Sequence, residues 1–154
     1  MKTRVAMMFG VKSVEHEVSV ISGIQAYMSM DTDKYDVIPV YMTKNNEMYI
    51  GDSIGDIESY KNIDELLKKS QRVIMINEDG RVKLVQYPVK KLGKNVEVGI
   101  DVAFPVVHGT NVEDGGFQGY LKTMGIPFVG CDVTASAIGM DKYITKPVHT
   151  VGLC

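Results

Sequence analysis

Residues 106–142 read VVHGTNVEDGGFQGYLKTMGIPFVGCDVTASAIGMDK and contain the clearest strand–turn–helix pattern in the chain. The apolar run DVAFPVV (residues 101–107) predicts a strand that leads into this stretch, and GFQGYLKTM (residues 116–124) predicts a helix that leaves it. Open α/β sheets bind their ligands where strands end and helices begin, and free backbone N–H groups at a helix N-terminus attract anions. The polar residues between these two elements therefore predict a ligand-binding turn.

The N-terminal residues predict a βαβ unit. Residues 4–9 (RVAMMF) are almost continuously apolar, which is typical of a strand buried on both faces of a sheet. Apolar residues at helical spacing predict a helix over residues 14–30, with acidic residues in its first turn. Residues 35–42 (YDVIPVYM) predict a second strand, in which Pro39 indicates an edge or a local irregularity.

The place of the first strand in the sheet determines where the candidate ligand turns lie. If this strand neighbours the strand of residues 101–107, the turn at residues 10–13 lies beside the turn at residues 106–114. Both turns would then be at the carboxyl ends of parallel strands, which is the edge where such sheets bind ligands. The sequence predicts this juxtaposition only on the assumption of that strand order.

The rest of the chain shows weaker patterns. They predict a short strand at residues 48–50, a helix at 63–69, a hairpin of residues 72–77 and 81–85 joined by Glu-Asp-Gly, a short strand at 126–129 and a helix at 134–145. Residues 87–99 are polar and have no clear period. The predicted fold is α/β: a Rossmann-like, mostly parallel sheet flanked by helices, with a β-hairpin insertion.

The composition excludes several classes of function. Of 154 residues, 45% are apolar and 23% charged, which suits one globular domain. The formal net charge of −2 gives no support for a nucleic-acid partner, and the apolar runs are too short to span a bilayer. The N-terminal MKTRVAMMFG predicts a buried strand rather than a signal peptide, so a cytoplasmic protein is expected. Cys131 and Cys154 lack metal or redox spacing and are interpreted as packing residues.

His108, Glu113 and Asp114 form a polar group at the end of a predicted strand. We interpret His108 as a ligand contact because of this position, although a lone histidine is more often structural. No second histidine lies at ligand spacing, so no metal site is predicted there. Glu113 and Asp114 are interpreted chiefly as caps of the following helix.

Glu15 follows a strand and a Gly-Ser turn, a position that suits a carboxylate binding a substrate ammonium. A surface acid favoured by the helix dipole would give the same pattern. The segment Glu-His-Glu begins like the HExxH motif of zinc proteases, but the second histidine is absent. Lys142 suits either a solvated helix residue or a partner for phosphate. Neither GxGxxG after the first strand nor GxxxxGK[ST] occurs, so nucleotide binding by those motifs has no support.

Two segments carry a family resemblance: FGVKSVEHEVSVISG (residues 9–23) and HGTNVEDGGFQGYLKTMGIPFVGCDVTASAIGMDK (residues 108–142), with Thr145-Lys146 following. Together they resemble the N-terminal part of D-alanine–D-alanine ligases of the ATP-grasp superfamily, whereas residues 43–99 are similar only in general layout. The resemblance implies a cytoplasmic enzyme that joins two D-alanines for peptidoglycan. ATP would phosphorylate the carboxylate of the first D-alanine, and the amine of the second would displace phosphate from the acyl phosphate.

The resemblance also implies roles for individual residues. Glu15 would hold and orient the ammonium of the first D-alanine, as the catalytic residue of this part, and Ser19 and His108 would line or contact the same substrate site. Lys142 would approach the ATP phosphates. ATP and Mg²⁺ are the cofactors expected for the full-length enzyme, neither bound tightly by this chain alone. A homodimer is a further expectation, and neither nucleic acid nor a membrane is an expected partner.

The resemblance divides the chain into two parts. Residues 1–130 would form the pre-ATP-grasp, substrate-binding domain, and residues 131–154 the start of a central domain that is cut short, so the chain alone is expected to be inactive. Val11 and Val112 stand where the family usually has glycine, which leaves a D-Ala–D-Ser or D-Ala–D-lactate ligase open. A non-catalytic Rossmann-like module that binds a small molecule is the alternative from another class.

Overall fold

The computed structural model describes residues 1–109, 112–141 and 145–146. Within these ranges the chain forms one seven-stranded sheet with helices on both faces. The strands are β1 Thr3–Gly10, β2 Tyr35–Met42, β3 Met48–Ile50, β4 Gln71–Glu78, β5 Arg81–Gln86, β6 Glu97–Gly99 and β7 Val102–Val106. The helices are α1 His16–Met28, α2 Ile63–Lys69, α3 Gly116–Met124 and α4 Val133–Met140, and two 3₁₀ turns, Asp52–Gly55 and Ile57–Lys61, precede α2.

Strand β1 is buried on both faces of the sheet, as its apolar run predicts. Ala6 and Met8 pack on one face against α3, and Met7 and Phe9 pack on the other face against α1 and α2. The strand lies between β2 and β7 and is parallel to both. This arrangement confirms the strand order on which the juxtaposition of the two candidate turns depends.

The sheet is mixed, which corrects the expectation of a mostly parallel sheet. Its order is β6-β5-β4-β3-β2-β1-β7; only the pairs of β1 with β2 and with β7 are parallel, and the other four pairs are antiparallel. The predicted hairpin is confirmed as β4 and β5, with positive φ at Asp79 (52°) and Gly80 (78°), as a tight hairpin turn requires. Because β3 joins β4 to β2, this hairpin extends the central sheet.

Several element boundaries differ from the predictions. Strand β3 pairs with β2 only at Tyr41 and Met42, so at Pro39 strand β2 pairs with β1 alone. Pro39 therefore lies at an edge of the strand pairing, as predicted. Strand β6 lies within the segment for which no period was found. The predicted strand at residues 126–129 forms only a single bridge, between Ala103 and Phe128.

Helices α2 and α4 begin after side-chain caps, Asn62 and Asp132, whereas α1 and α3 have no side-chain hydrogen bond from the residue before them. Helix α4 starts after Asp132, whose Oδ1 accepts a hydrogen bond from Ala135 N at 2.8 Å, and it ends at Met140, earlier than predicted. Helix α1 runs from His16 to Met28, which shortens the predicted helix by two residues at each end. No helix in the described ranges is both long and apolar enough to cross a membrane.

Arg4 and Asp101 join the amino ends of β1 and β7. Asp101 Oδ2 accepts a 2.8 Å hydrogen bond from Arg4 N, and the guanidinium lies 3.1 Å from Oδ1. The bonds from the Arg4 side chain and then from its backbone lower the pKa of the Asp101 carboxyl below its ordinary value. Folding therefore favours the ionised carboxylate, and this contribution is present above the unfolded pKa of about 3.9 and lost as pH falls through the folded pKa.

We expect Asp101→Asn to lower the free energy of unfolding by about 0.5–1 kcal/mol at pH 7, a small value because both side chains are largely exposed. The difference from the unaltered protein should shrink as the pH falls through the carboxyl pKa. Urea unfolding over a pH series measures this difference. A destabilisation that is independent of pH would contradict a role for the carboxylate charge.

Candidate active site

Two turns meet at the carboxyl ends of β1 and β7. The first runs from Gly10 to the start of α1, and the second follows β7 through His108 and Gly109. Gly109 has a φ of 91°, and a Cβ added there would lie 3.6 Å from both Cβ and Cγ of Glu15. The backbone of the second turn thus approaches the stem of the Glu15 side chain, and the predicted juxtaposition is present.

Glu15 immediately precedes α1, and its side chain is exposed. Its backbone N–H donates to Ser13 Oγ at 3.3 Å, and its carbonyl accepts the first helical bond, from Ser19 N at 3.0 Å. Among the described residues, none donates a hydrogen bond to its carboxylate or forms an ion pair with it. The backbone of Glu15 is therefore fixed, while its charge remains available to a cationic group from outside.

Glu17, two residues later, is engaged differently. Lys44 Nζ lies 2.5 Å from its Oε1, and this hydrogen bond is the largest cause that lowers the pKa of the Glu17 carboxyl. Both side chains are well exposed, so the pair contributes little to stability. Of the two neighbouring acids, only Glu15 lies near the second turn and lacks a carboxylate partner within the part of the chain that the structure describes.

Ser19 connects the three elements that form the site. Its side chain is fully buried, and its Oγ accepts a 2.8 Å hydrogen bond from Gly10 N and donates a 2.6 Å bond to Val106 O. Because Ser19 has no exposed surface and its single hydroxyl proton is used in the second bond, it acts on a ligand through the position of the turns it holds.

His108 lies over the first half of α1. Its Nε2 is 3.2 Å from Ser22 Oγ, and because that hydroxyl donates to Val18 O at 2.9 Å, the imidazole is the donor in this contact. Its Nδ1 lies 3.8 Å from Glu113 Oε1. The His108 side chain is only partly buried, so part of it remains accessible to a ligand.

The two acids of the second turn have separate roles. Glu113 Oε2 accepts a 2.7 Å hydrogen bond from Gly109 N, and Glu113 N donates to Gly109 O at 3.1 Å, which closes the loop beneath His108. Asp114 Oδ1 accepts a 3.1 Å bond from Gly116 N in the first turn of α3. The capping interpretation therefore holds for Asp114, whereas Glu113 stabilises the loop itself.

His16 is a site residue that the sequence interpretation missed. Its ring is 4% exposed, and its Nδ1 and Nε2 lie 2.7 Å from Val11 O and 3.0 Å from Tyr41 Oη. The spacing of this residue could have indicated its burial, because His16, Val20 and Ile24 recur every four residues and lie on the buried face of α1.

The residues of this chain can be tested against the expected cofactors, ATP and Mg²⁺, only where the structure describes them. Lys142, predicted to approach ATP phosphates, lies outside the described residues. Within the described ranges, no group of three or more His, Cys, Asp or Glu side chains could hold a metal ion. The described residues include the exposed carboxylate of Glu15, and no step involving Mg²⁺ is assigned to them.

Comparisons with known proteins identify a family model and relatives that match this chain. A family model, the D-ala D-ala ligase N-terminus, matches residues 4–131. The D-alanine–D-alanine ligase of Thermosipho melanesiensis is 42% identical over 142 residues, covering 92% of this chain and 38% of that protein.

Two solved structures are similar over 98% of the chain. The D-alanine–D-alanine ligase from Coxiella burnetii has a TM-score of 0.82 and 27% identity, with 41% of that chain covered. VanG D-Ala:D-Ser ligase from Enterococcus faecalis has a TM-score of 0.75 and 29% identity, with 42% covered. The chain spans about 40% of the length of these three relatives. Because the family model covers most of its residues, the chain belongs to the D-alanine–D-alanine ligase N-terminal family.

Proposed function

We propose that this chain is the N-terminal part of an ATP-dependent D-alanine–D-alanine ligase and that it binds the first D-alanine. The observation that carries the proposal is the exposed carboxylate of Glu15, which has no partner among the described residues and lies near the His108–Gly109 turn, at the carboxyl ends of two parallel strands. A carboxylate in that position suits the ammonium of an amino acid. Family membership supplies the reaction in which such a site would act.

The proposed reaction assigns binding and orientation to this chain. Glu15 pairs with the ammonium of the first D-alanine, and the accessible part of the His108 side chain contacts the same molecule. The carboxylate of that D-alanine accepts the γ-phosphoryl group of ATP and becomes an acyl phosphate, releasing ADP. The amine of the second D-alanine then attacks the acyl carbon and loses a proton, and phosphate leaves. Lys142 would face the ATP phosphates, with Mg²⁺ offsetting their charge.

The domain division is part of the same proposal. Residues 1–130 would be the substrate-binding domain and residues 131–154 the beginning of a central domain. The family model ends at residue 131, which supports this boundary. A cytoplasmic location and a homodimer follow from the proposed family role and remain predictions.

A ligase with a different second substrate is the main alternative. The likeness to VanG D-Ala:D-Ser ligase supports it, since its identity to this chain is similar to that of the D-alanine–D-alanine ligase from Coxiella burnetii. Val11 also stands where the family usually has glycine. It adopts a φ of 70°, in the left-handed region that glycine favours, so the turn is retained despite the substitution.

Phosphate release from Mg-ATP with D-alanine tests the proposal. We expect release from the protein extended beyond Cys154 by its own coding sequence and none from residues 1–154 alone. Parallel reactions with D-alanine plus D-serine, or plus D-lactate, identify the second substrate. No activity of the extended protein with any of these acceptors would favour the non-catalytic binding module, and activity of residues 1–154 alone would contradict the assignment of catalysis to additional domains.

A further inference from the structure

We propose that His16 is a positioning residue for Glu15, acting through a hydrogen bond from its Nδ1–H to the carbonyl of Val11. The inference rests on the proposed function, because Glu15 is the group that would bind the first D-alanine. A carbonyl oxygen can only accept, so the 2.7 Å contact places a proton on His16 Nδ1. In the neutral ring Nε2 then accepts from the Tyr41 hydroxyl at 3.0 Å.

Val11 needs an anchor because its backbone is strained. Its φ is 70°, a left-handed conformation that β-branched residues rarely adopt and that persists only when surrounding contacts hold it. Its N–H donates to Met42 O at 2.8 Å, and its side chain is 5% exposed in the core. The bond from His16 fixes the remaining polar group of this residue, its carbonyl.

The Val11 carbonyl is also linked to Glu15. It accepts a second hydrogen bond, from Ser13 N at 3.0 Å, and Ser13 Oγ in turn accepts from Glu15 N at 3.3 Å. Movement of the carbonyl would therefore move Ser13 and then the backbone of Glu15. His16 thus fixes the turn before α1 from its buried side, while Glu15 is exposed at the end of the same turn.

The His16 ring is held in one orientation by an aromatic wall. Tyr41 meets it edge-on, with ring centroids 5.6 Å apart, and Tyr60 meets Tyr41 edge-on at 5.2 Å. Tyr60 Oη donates to Ile54 O at 2.9 Å, which anchors the wall. Burial raises the pKa of the Tyr41 hydroxyl, so this group keeps its proton and donates to Nε2.

Two substitutions separate the two nitrogen contacts of His16. Asparagine places an N–H near the position of Nδ1 and can keep the hydrogen bond to the Val11 carbonyl. Glutamine places its amide near the position of Nε2 and loses the hydrogen bond to Val11. Tyr41→Phe removes only the hydroxyl that contacts Nε2. A purely structural role for His16 would make the asparagine variant, which leaves the larger void, at least as defective as the glutamine variant.

The first measurement is the dependence of phosphate release on D-alanine at saturating Mg-ATP, in the extended protein. We expect His16→Gln to raise the KM for D-alanine about tenfold, with kcat changed by less than about threefold, because the Val11 carbonyl loses the hydrogen bond from His16 and keeps only the one from Ser13 N. His16→Asn and Tyr41→Phe should both stay within about threefold of the unaltered KM. Equal KM values for the glutamine and asparagine variants, or a fall in kcat alone, would overturn the proposal.

Hydrogen–deuterium exchange of the same variants keeps the proposal testable if no turnover is found. The segment of residues 11–15 should exchange faster in His16→Gln and at the unaltered rate in His16→Asn. An inactive unaltered enzyme with this exchange pattern would reject the proposed function and leave the positioning role standing. Unchanged exchange in His16→Gln would reject the positioning role whatever the activity.

Discussion

Replacing Glu15 by Gln is expected to lower kcat/KM for D-alanine at least about 100-fold in the extended protein, because a charged partner of the substrate ammonium is lost. The glutamine keeps the size of the side chain and its stem near Gly109, so the change isolates the charge. The described residues provide no other partner for this carboxylate. Its removal should therefore leave stability almost unchanged while it weakens the binding and orientation of the first D-alanine. Phosphate release across a range of D-alanine concentrations measures the loss.

Glu17→Gln is the matched control for this experiment. It removes a carboxylate charge two residues further along, in the first turn of α1, from a side chain paired with Lys44 on the surface. We expect kcat/KM to change by less than about threefold, because exposed ion pairs contribute little. If the two variants lost activity equally, the effect would come from the general acidity of the turn, and the specific role of Glu15 would be refuted.

Much of the fold is encoded in short-range patterns. The continuous apolar run of β1 predicts burial on both faces, and the Asp79-Gly80 turn predicts the hairpin of β4 and β5. The juxtaposition of the turns at residues 10–13 and 106–114 also follows from the sequence, once β1 and β7 are assumed to be neighbours. These features depend on local residue chemistry and on one strand order, so sequence reasoning recovers them.

Long-range pairing accounts for what the sequence did not predict. Strand β6 has only three residues, and its place beside β5 depends on backbone hydrogen bonds that no periodicity records. The antiparallel direction of β3 likewise depends on its partners rather than on its own residues. The burial of His16 is signalled by its spacing with Val20 and Ile24, but its hydrogen bonds are not, since its two partners, Val11 and Tyr41, lie outside α1.

Gly23 is expected to be indispensable to the packing of α1 on β1. An added Cβ there would lie 2.4 Å from both Cβ and Cγ of Phe9, a separation that real Cβ atoms essentially never show. Phe9 is fully buried and cannot rotate its own Cβ away, so α1 must move outward. We expect Gly23→Ala to lower the free energy of unfolding by about 2–3 kcal/mol, although alanine is the better helix former by about 1 kcal/mol. Urea unfolding measures the difference.

Gly119→Ala provides a control of opposite sign. Gly119 lies in the interior of α3, and an added Cβ would meet no other described atom within 4 Å apart from the adjoining backbone. We expect this variant to be more stable by about 0.5–1 kcal/mol, since only the helix propensity changes. The two substitutions are chemically identical, so their difference isolates the contact with Phe9. Equal stability of the two variants would show that α1 can shift without cost, and the close approach that brings Ser19 to Gly10 and Val106 would then not depend on Gly23.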